Sequence, residues 1–246
     1  MEKNFKLTIE YDGTEFHGWQ RQKEDRTIQG EIEGALLVMI GKKVNLIGSG
    51  RTDAGVHALE QVANFRCRAR LDPNAFLNGL NSLLPDAIVI RNCEIVSADF
   101  HARFDVRRKT YHYRILNRRL PAAINRQYSW YIRRPLDRAA MHRAAAELVG
   151  TQDFSTFEGT GSPRSDSIRQ VFKAAFFETE KDYLIFEIEA DGFLRFMVRS
   201  IVGTLVAVGL GKINPADFQS ILNSQDRSQA GVTAPPHGLF LMRVTY

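Results

Sequence analysis

Cysteine is scarce: Cys67 and Cys93 are the only two in 246 residues, too few for a disulfide framework and too few for a cysteine metal cluster. A reducing cytoplasm is the compartment that fits. No positively charged start followed by an apolar stretch opens the chain, because Met1-Glu2-Lys3-Asn4 runs straight into a strand pattern, so no export signal is expected. The most apolar run, Ile201 to Leu210, is too short to span a bilayer; it follows Arg195 and Arg199 on one helical pattern, as a buried core helix does. Cofactor fingerprints are missing as well. A dinucleotide-binding motif starting at Gly48 needs glycine where Asp53 stands, and a phosphate-binding loop needs a Gly-Lys-Ser/Thr that this stretch lacks. Composition, at 44% hydrophobic and 25% charged, favours neither disorder nor a fibrous class.

What is present is a polar stretch from Gly48 to Ala58, Gly-Ser-Gly-Arg-Thr-Asp-Ala-Gly-Val-His-Ala, between β-patterned runs at 44–47 and 61–65. It reads as a loop that holds one carboxylate, Asp53, beside one arginine, Arg51. Its glycines allow backbone conformations closed to other residues and close approach to a ligand. Gly48-Ser49-Gly50 is not the five-residue nucleophile elbow. Asp53 and His57 stand four apart, but Gly55 between them argues against one helix face presenting both to a metal. Residue chemistry alone leaves two readings, a site or a glycine-rich turn with a capping aspartate. Ser49, Thr52 and His57 are expected to cap or shape the loop rather than to act as nucleophiles.

Positive charge is unevenly spread. Formal net charge is +5, yet the segment from His101 to Arg138 holds eleven Lys and Arg against Asp105 and Asp137. Either this is a solvated face balanced elsewhere or it is a polyanion footprint with Tyr111, Tyr113, Tyr128, Trp130 and Tyr131 interleaved. Arg118, Arg119, Arg133 and Arg134 are its candidate phosphate contacts. A second candidate lies in the polar loop after Gly13, where Trp19, Gln20 and Arg21 stand together. Trp19 either stacks on a base or folds back onto the core.

Periodicity outlines the fold. Phe5, Leu7, Ile9 and Tyr11 alternate with polar residues as a strand with one buried face. Ile28, Ile32, Ala35, Leu36, Met39 and Ile40 follow helical spacing after a Thr27 cap, and Gly41 ends the helix. After the strands at 44–47 and 61–65, Asp72-Pro73 starts a helix carrying Phe76, Leu77, Leu80 and Leu83, and 88–96 reads as a strand. Strand, helix, strand, strand, helix, strand is the split ferredoxin-like order found in many RNA-binding modules. The second half repeats it with a strand at 109–116, a long basic loop, a helix at 137–149, a hairpin of 168–177 and 183–190 turning across Thr179 to Asp182, and a helix face from Phe193 to Val208. A short helix capped at Asn214-Pro215 and a last strand, 238–246, complete it. The expectation is an α/β (α+β) protein of two ferredoxin-like, RNA-recognition-like halves, with mainly antiparallel sheets, helices packed on them and the active-site cleft between. The halves are 1–105, carrying the Asp53 loop, and 106–246, carrying Tyr111, Arg199 and the basic segment.

The eleven residues from Gly48 to Ala58 closely resemble the catalytic motif of the tRNA pseudouridine synthase A (TruA) family, in which the aspartate of Arg-Thr-Asp is the essential catalytic residue. Tyr11-Asp12-Gly13, Gly18-Trp19-Gln20-Arg21-Gln22, Arg108-Lys109-Thr110-Tyr111-His112-Tyr113, Phe196-Met197-Val198-Arg199 and Gly238-Leu239 resemble the family's other signatures in the family's order. The likeness thus covers nearly the whole chain. It implies an isomerase that converts uridine to pseudouridine in the anticodon arm of tRNA, at positions 38, 39 and 40, working as a cytoplasmic homodimer without cofactor, metal or membrane. It also implies that Asp53 is the catalytic carboxylate, that Tyr111 packs against the target base while Tyr113 stays in the core, and that Arg199 lies beside Asp53. Arg51 is then a residue that binds RNA or helps extrude the base; otherwise it is a solvent-exposed loop charge. Two local departures stand out: Phe240 occupies a position where tyrosine is common, and Gly159 to Asp166 is atypical. The competing reading is a non-catalytic RNA-binding protein of two recognition-type modules, although the aromatic signature of such modules is absent from the strands. A metal-dependent nuclease lacks clustered acidic residues near Asp53.

Overall fold

A computed structural model describes residues 2–68, 70–159, 166–179 and 182–246. Most of the atypical tract from Gly159 to Asp166, and residues 180–181 of the expected hairpin turn, lie outside them. The fold is mixed α/β, mainly antiparallel, and divides into two compact units, one of 1–107 with 240–246 and one of 108–239.

The first unit begins with Lys3–Tyr11 (β1), whose alternation buries Phe5, Leu7, Ile9 and Tyr11. Helix Ile28–Ile40 (α1) starts where the Thr27 hydroxyl accepts the Gly30 N–H and stops at Gly41 in the left-handed region, φ 72°, satisfying end groups that the helix itself leaves open. The strands around the polar loop differ from their expected bounds. Ile47–Gly48 (β2) replaces 44–47 and takes in the first glycine of the loop, because Ile47 and Gly48 are the residues registered with Asn64 and Ala63. His57–Cys67 (β3) begins four residues before the expected start, directly at the end of the loop. Pro73–Leu83 (α2), capped by Asp72, and Ile88–Val96 (β4) follow as expected. β3 and β4 flank β1, both antiparallel to it, and β2 lies on the other edge of β3. This is the split ferredoxin-like arrangement. Its core centres on Phe76 of α2, set edge-on to Phe5 at 4.8 Å and to Phe65 at 5.2 Å, a favourable geometry for ring pairs.

The second unit opens with Arg108–Asn117 (β5), joined in parallel by the short Trp130–Ile132 (β6). Arg138–Ala146 (α3), capped by Asp137, leads to Gly150–Asp153 (β7), Ile168–Glu178 (β8) and Tyr183–Ala190 (β9). β9 lies between β5 and β8, and β7 forms the edge beyond β8, all antiparallel. Neither β6 nor β7 is legible from periodicity, since strands of 3 and 4 residues are too short to alternate. The expected helix from Phe193 starts only at Met197 (α4, Met197–Gly209), since Phe196 adopts φ 62° and breaks it. Strain of that kind in a non-glycine residue persists only where its surroundings hold it. Here the ring lies over Gly159, where an added Cβ would come within 2.3 Å of it, and near the Arg195 and Arg199 guanidiniums at 4.8 and 5.0 Å. Phe218–Asn223 (α5) follows.

The chain then returns. Leu239–Thr245 (β10) registers Phe240 with His57 and Leu241 with Ala58, in parallel with β3. Backbone pairing therefore ties 240–246 to the first unit, although the sequence counts it with the second half. Among the described residues no helix is long and apolar enough to cross a membrane.

Candidate active site

The loop between β2 and β3 is held by the side chains of Ser49, Thr52 and His57. The Ser49 hydroxyl donates to Gln61 Oε1 at 2.6 Å, and Gln61 Nε2 donates to the Gly50 carbonyl at 3.1 Å. Thr52 Oγ1 pairs with the Tyr11 hydroxyl at 2.8 Å. Burial pushes the Tyr11 phenol up despite hydrogen bonds to Thr52 and Gln61, so it stays protonated and able to donate. On the far side of Asp53, its carbonyl accepts the Val56 N–H at 3.2 Å, closing a turn in which Gly55 takes φ 76°. His57 Nδ1 accepts the Gly13 N–H at 3.1 Å, with the Asp12 carboxylate 3.0 Å away. Ser49, Thr52 and His57 thus shape the loop, as the sequence suggests. Between these anchors Arg51 is exposed and Asp53 half-buried.

A second loop, 12–27, backs the first. Gly18 presses on the carbonyl of Thr52: an added Cβ would lie 2.6 Å from that oxygen, and φ is +89°. Next to it the Trp19 N–H donates to the same carbonyl at 3.1 Å. The Trp19 ring, only 2% exposed, lies on Gly48, where a Cβ would meet it at 2.6 Å. Trp19 is therefore no open base platform. Of the two readings the sequence leaves, the core one holds, because the glycine opening the motif admits the indole rather than a ligand. Gln20 donates to Gln29 Oε1 at 2.9 Å and Arg21 pairs with Glu33 at 2.7 Å; both remain exposed. Tyr11 and Gln61 are the supports that sequence reasoning missed. The signal for Gln61 is a fully buried amide in a strand that is otherwise apolar at that face, since such a group needs partners.

In the second unit, Tyr111 sits on β5 opposite Ile188, 8% exposed and edge-on to Phe193 with ring centroids 5.0 Å apart. Two residues along, Tyr113 is fully buried and donates to the Pro235 carbonyl at 2.7 Å, a core tyrosine. Arg199, on the first turns of α4, donates from Nε to the Ala234 carbonyl at 2.8 Å, while the Ala234 N–H returns to the Arg199 carbonyl at 3.0 Å. The segment from Gly231 to Ala234 thus straps α4 and sets the arginine's direction. Beyond it, burial and the Arg199 charge hold the His237 imidazole below its ordinary 6.5, against a backbone hydrogen bond with Ser129 that favours the charged form. Arg119, Arg133 and Arg134 are exposed and Arg118 half-buried. Arg133 and Arg134 line a shallow pocket of about 300 Å³ with Trp130, Tyr131, Val206 and Leu210.

The loop that offers one carboxylate and one arginine lies in a stretch that known proteins share; among the described residues no group of three His, Cys, Asp or Glu is placed to hold a metal. The family described as tRNA pseudouridine synthase matches residues 7–105 and 144–246. The chain belongs to that family. It is 47% identical over 244 residues to a protein named tRNA pseudouridine synthase A from Thermoanaerobacter sp. (strain X514), which covers 99% of this chain and 100% of the relative. Proteins of the same name from Acetivibrio thermocellus and Clostridium acetobutylicum are each 46% identical with the same coverage. The family match includes the loop that carries Asp53 and the helix that carries Arg199. It leaves out 106–143, and with that Tyr111, Arg118, Arg119, Arg133 and Arg134, which the full-length relatives span.

Proposed function

We propose that this protein isomerises uridine to pseudouridine in the anticodon stem-loop of tRNA, at positions 38, 39 and 40, with Asp53 as the catalytic carboxylate. The observation that carries the reading is the half-buried Asp53 on a loop held by the Ser49 and Thr52 side chains, in a chain 47% identical to a tRNA pseudouridine synthase A over 99% of its length.

The reaction breaks the bond between N1 of the base and C1′ of the ribose, turns the base in place and joins C5 to C1′. The C5 proton leaves to solvent and N1 gains one, so neither oxidant nor reductant is consumed. A carboxylate serves such a sequence by attacking covalently, by stabilising the developing cation or by removing a proton from the sugar. All three need it ionised and reachable. Arg199 pairs with Asp53 in this reading and keeps it charged, since a nearby cation favours the ionised acid. Tyr111 packs against the target base. A stacked uridine must first be extruded, and Arg51 takes the space it leaves or holds the backbone beside it. Gln20, Arg21, Arg118, Arg119, Arg133 and Arg134 bind the tRNA backbone. The protein acts in the cytoplasm as a homodimer.

Incubation with tRNA carrying tritium at uridine C5 tests this, because isomerisation releases the label and binding alone does not. Release confined to transcripts with uridine at 38, 39 or 40 is expected. Tight binding without release from any tRNA would favour the non-catalytic RNA-binding reading instead.

A further inference from the structure

Phe104 is 74% exposed, in a turn held by side-chain hydrogen bonds. The His101 N–H donates to Asp105 Oδ2 at 2.8 Å, and His101 Nδ1 accepts the N–H groups of Arg103 and Phe104, each at 3.2 Å. The imidazole then lies against the Phe104 ring, centroids 4.3 Å apart and planes 28° from parallel. The base of the turn is tied to the sheet of the first unit. Ala102 is fully buried; its N–H goes to Asn64 Oδ1 at 2.9 Å and its carbonyl accepts the Tyr246 hydroxyl at 2.8 Å. Asn4, itself bonded to Asn64, donates to the carbonyls of Ser97 and Phe100. A buried amide network thus anchors a turn whose tip presents one large aromatic ring to solvent.

The surroundings of that ring select its ligand. Arg103 and Arg107 flank it and are exposed, and the Arg103 guanidinium stands 5.6 Å from the ring centroid, near the outer limit for a cation held on a ring. A guanidinium held that loosely exchanges the ring for a phosphate at little cost. The carboxylate next in the chain, Asp105, accepts the His101 N–H. A flat apolar face among cations fits a flat group that carries negative charge beside it, and an unstacked nucleotide has both.

We infer that Phe104 is a stacking platform for an unpaired base of the RNA substrate, with Arg103 on the adjoining phosphate. This is a binding contact away from the catalytic loop, and it rests on the proposed action on RNA. Because π-stacking rather than apolar area carries it, aromatic and aliphatic replacements must differ. Phe104→Tyr and Phe104→Trp are expected to keep the wild-type Kd for an unmodified tRNA transcript, measured by filter binding. Phe104→Leu and Phe104→Ala are expected to weaken it about tenfold, the order expected for one stacked base, with a matching rise in KM for tritium release and kcat within about twofold. Melting temperatures near wild type are expected for all four, given the exposure of the ring, and Phe104→Leu preserves apolar volume should Phe104→Ala fold poorly. Equal Kd values for Phe104→Leu and wild type would overturn the inference. So would a change in sedimentation mass with RNA affinity unchanged, which would make the turn a contact between copies of this chain. Binding and release are separate readouts: a wild-type protein that binds RNA through Phe104 but releases no tritium would sink the catalytic reading alone.

Discussion

The ring of Phe240 stacks on the imidazole of His57, with centroids 4.6 Å apart and planes 23° from parallel. Through this contact a residue six positions from the end of the chain braces the residue that closes the Asp53 loop. Phe240→Ala removes a ring that is 94% buried by the 6% exposure remaining to it, and a loss of about 3 kcal/mol in stability is expected, read as a lowered Tm. Phe240→Tyr should keep the stack. An alanine variant as stable as wild type would show that β10 holds its place by backbone pairing alone.

Gly18 supports the loop from the other side. In Gly18→Ala the added methyl must occupy a backbone at φ +89° and come within 2.6 Å of the Thr52 carbonyl. A destabilisation of about 2 kcal/mol is expected from strain and displacement together, with turnover falling more than RNA affinity. Denaturant melts and single-turnover kinetics on the same variant separate the two effects. Unchanged kcat would mean that the Thr52-Asp53 backbone tolerates movement.

Replacement of Asp53 by asparagine is expected to abolish tritium release while leaving RNA binding intact and stability within about 1 kcal/mol, since the near-isosteric amide keeps the shape of a partly exposed side chain. Even a tenth of wild-type activity would remove Asp53 from the catalytic role. If Arg199 is the cation that keeps Asp53 ionised, Arg199→Ala should lower kcat by about a hundredfold, the order seen when one electrostatic partner is removed from a site. A crystal structure should then find the Asp53 carboxylate and the Arg199 guanidinium within about 4 Å.

Affinity for tRNA should fall steeply with salt. Each arginine that neutralises a phosphate contributes somewhat under one unit to the slope of log affinity against log salt. Arg118→Ala, Arg119→Ala, Arg133→Ala and Arg134→Ala, made singly, are expected to reduce the slope by about that amount wherever the side chain touches the backbone. No change in any of the four would leave the segment a solvated face.

His237 predicts a pH dependence. Its imidazole is held below its ordinary 6.5 chiefly by burial, so in the folded state it takes up a proton less readily than in the unfolded chain. Stability is therefore untouched by this group well above pH 6.5 and declines as pH falls through that value. Between about pH 7 and about pH 5, His237→Gln should lose less stability than wild type in urea melts. Parallel pH profiles for the two proteins would show that the imidazole stays accessible to protons.

Alternation in β1, the Thr27 and Gly41 ends of α1, and the Asp72-Pro73 start of α2 are properties of consecutive residues, and they are legible because side-chain period and capping chemistry act locally. The polar Asp53 loop was legible for the same reason, and likeness to a family supplied the role of its aspartate. Tertiary structure decided what local chemistry leaves open. Trp19 has one indole for either solvent or core, and only the missing Cβ of Gly48, 29 positions away, settles its burial. Periodicity carries a helix back to Phe193, but Phe196, whose ring packs on Gly159, has a left-handed backbone, and α4 starts at Met197. Tyr11 and Gln61 read as ordinary strand residues until their hydrogen bonds to Thr52 and Gly50 make them the supports of the loop. Sequence fixes which groups are available; which of them face one another depends on contacts between residues far apart in the chain, and those exist only once the sheet has formed.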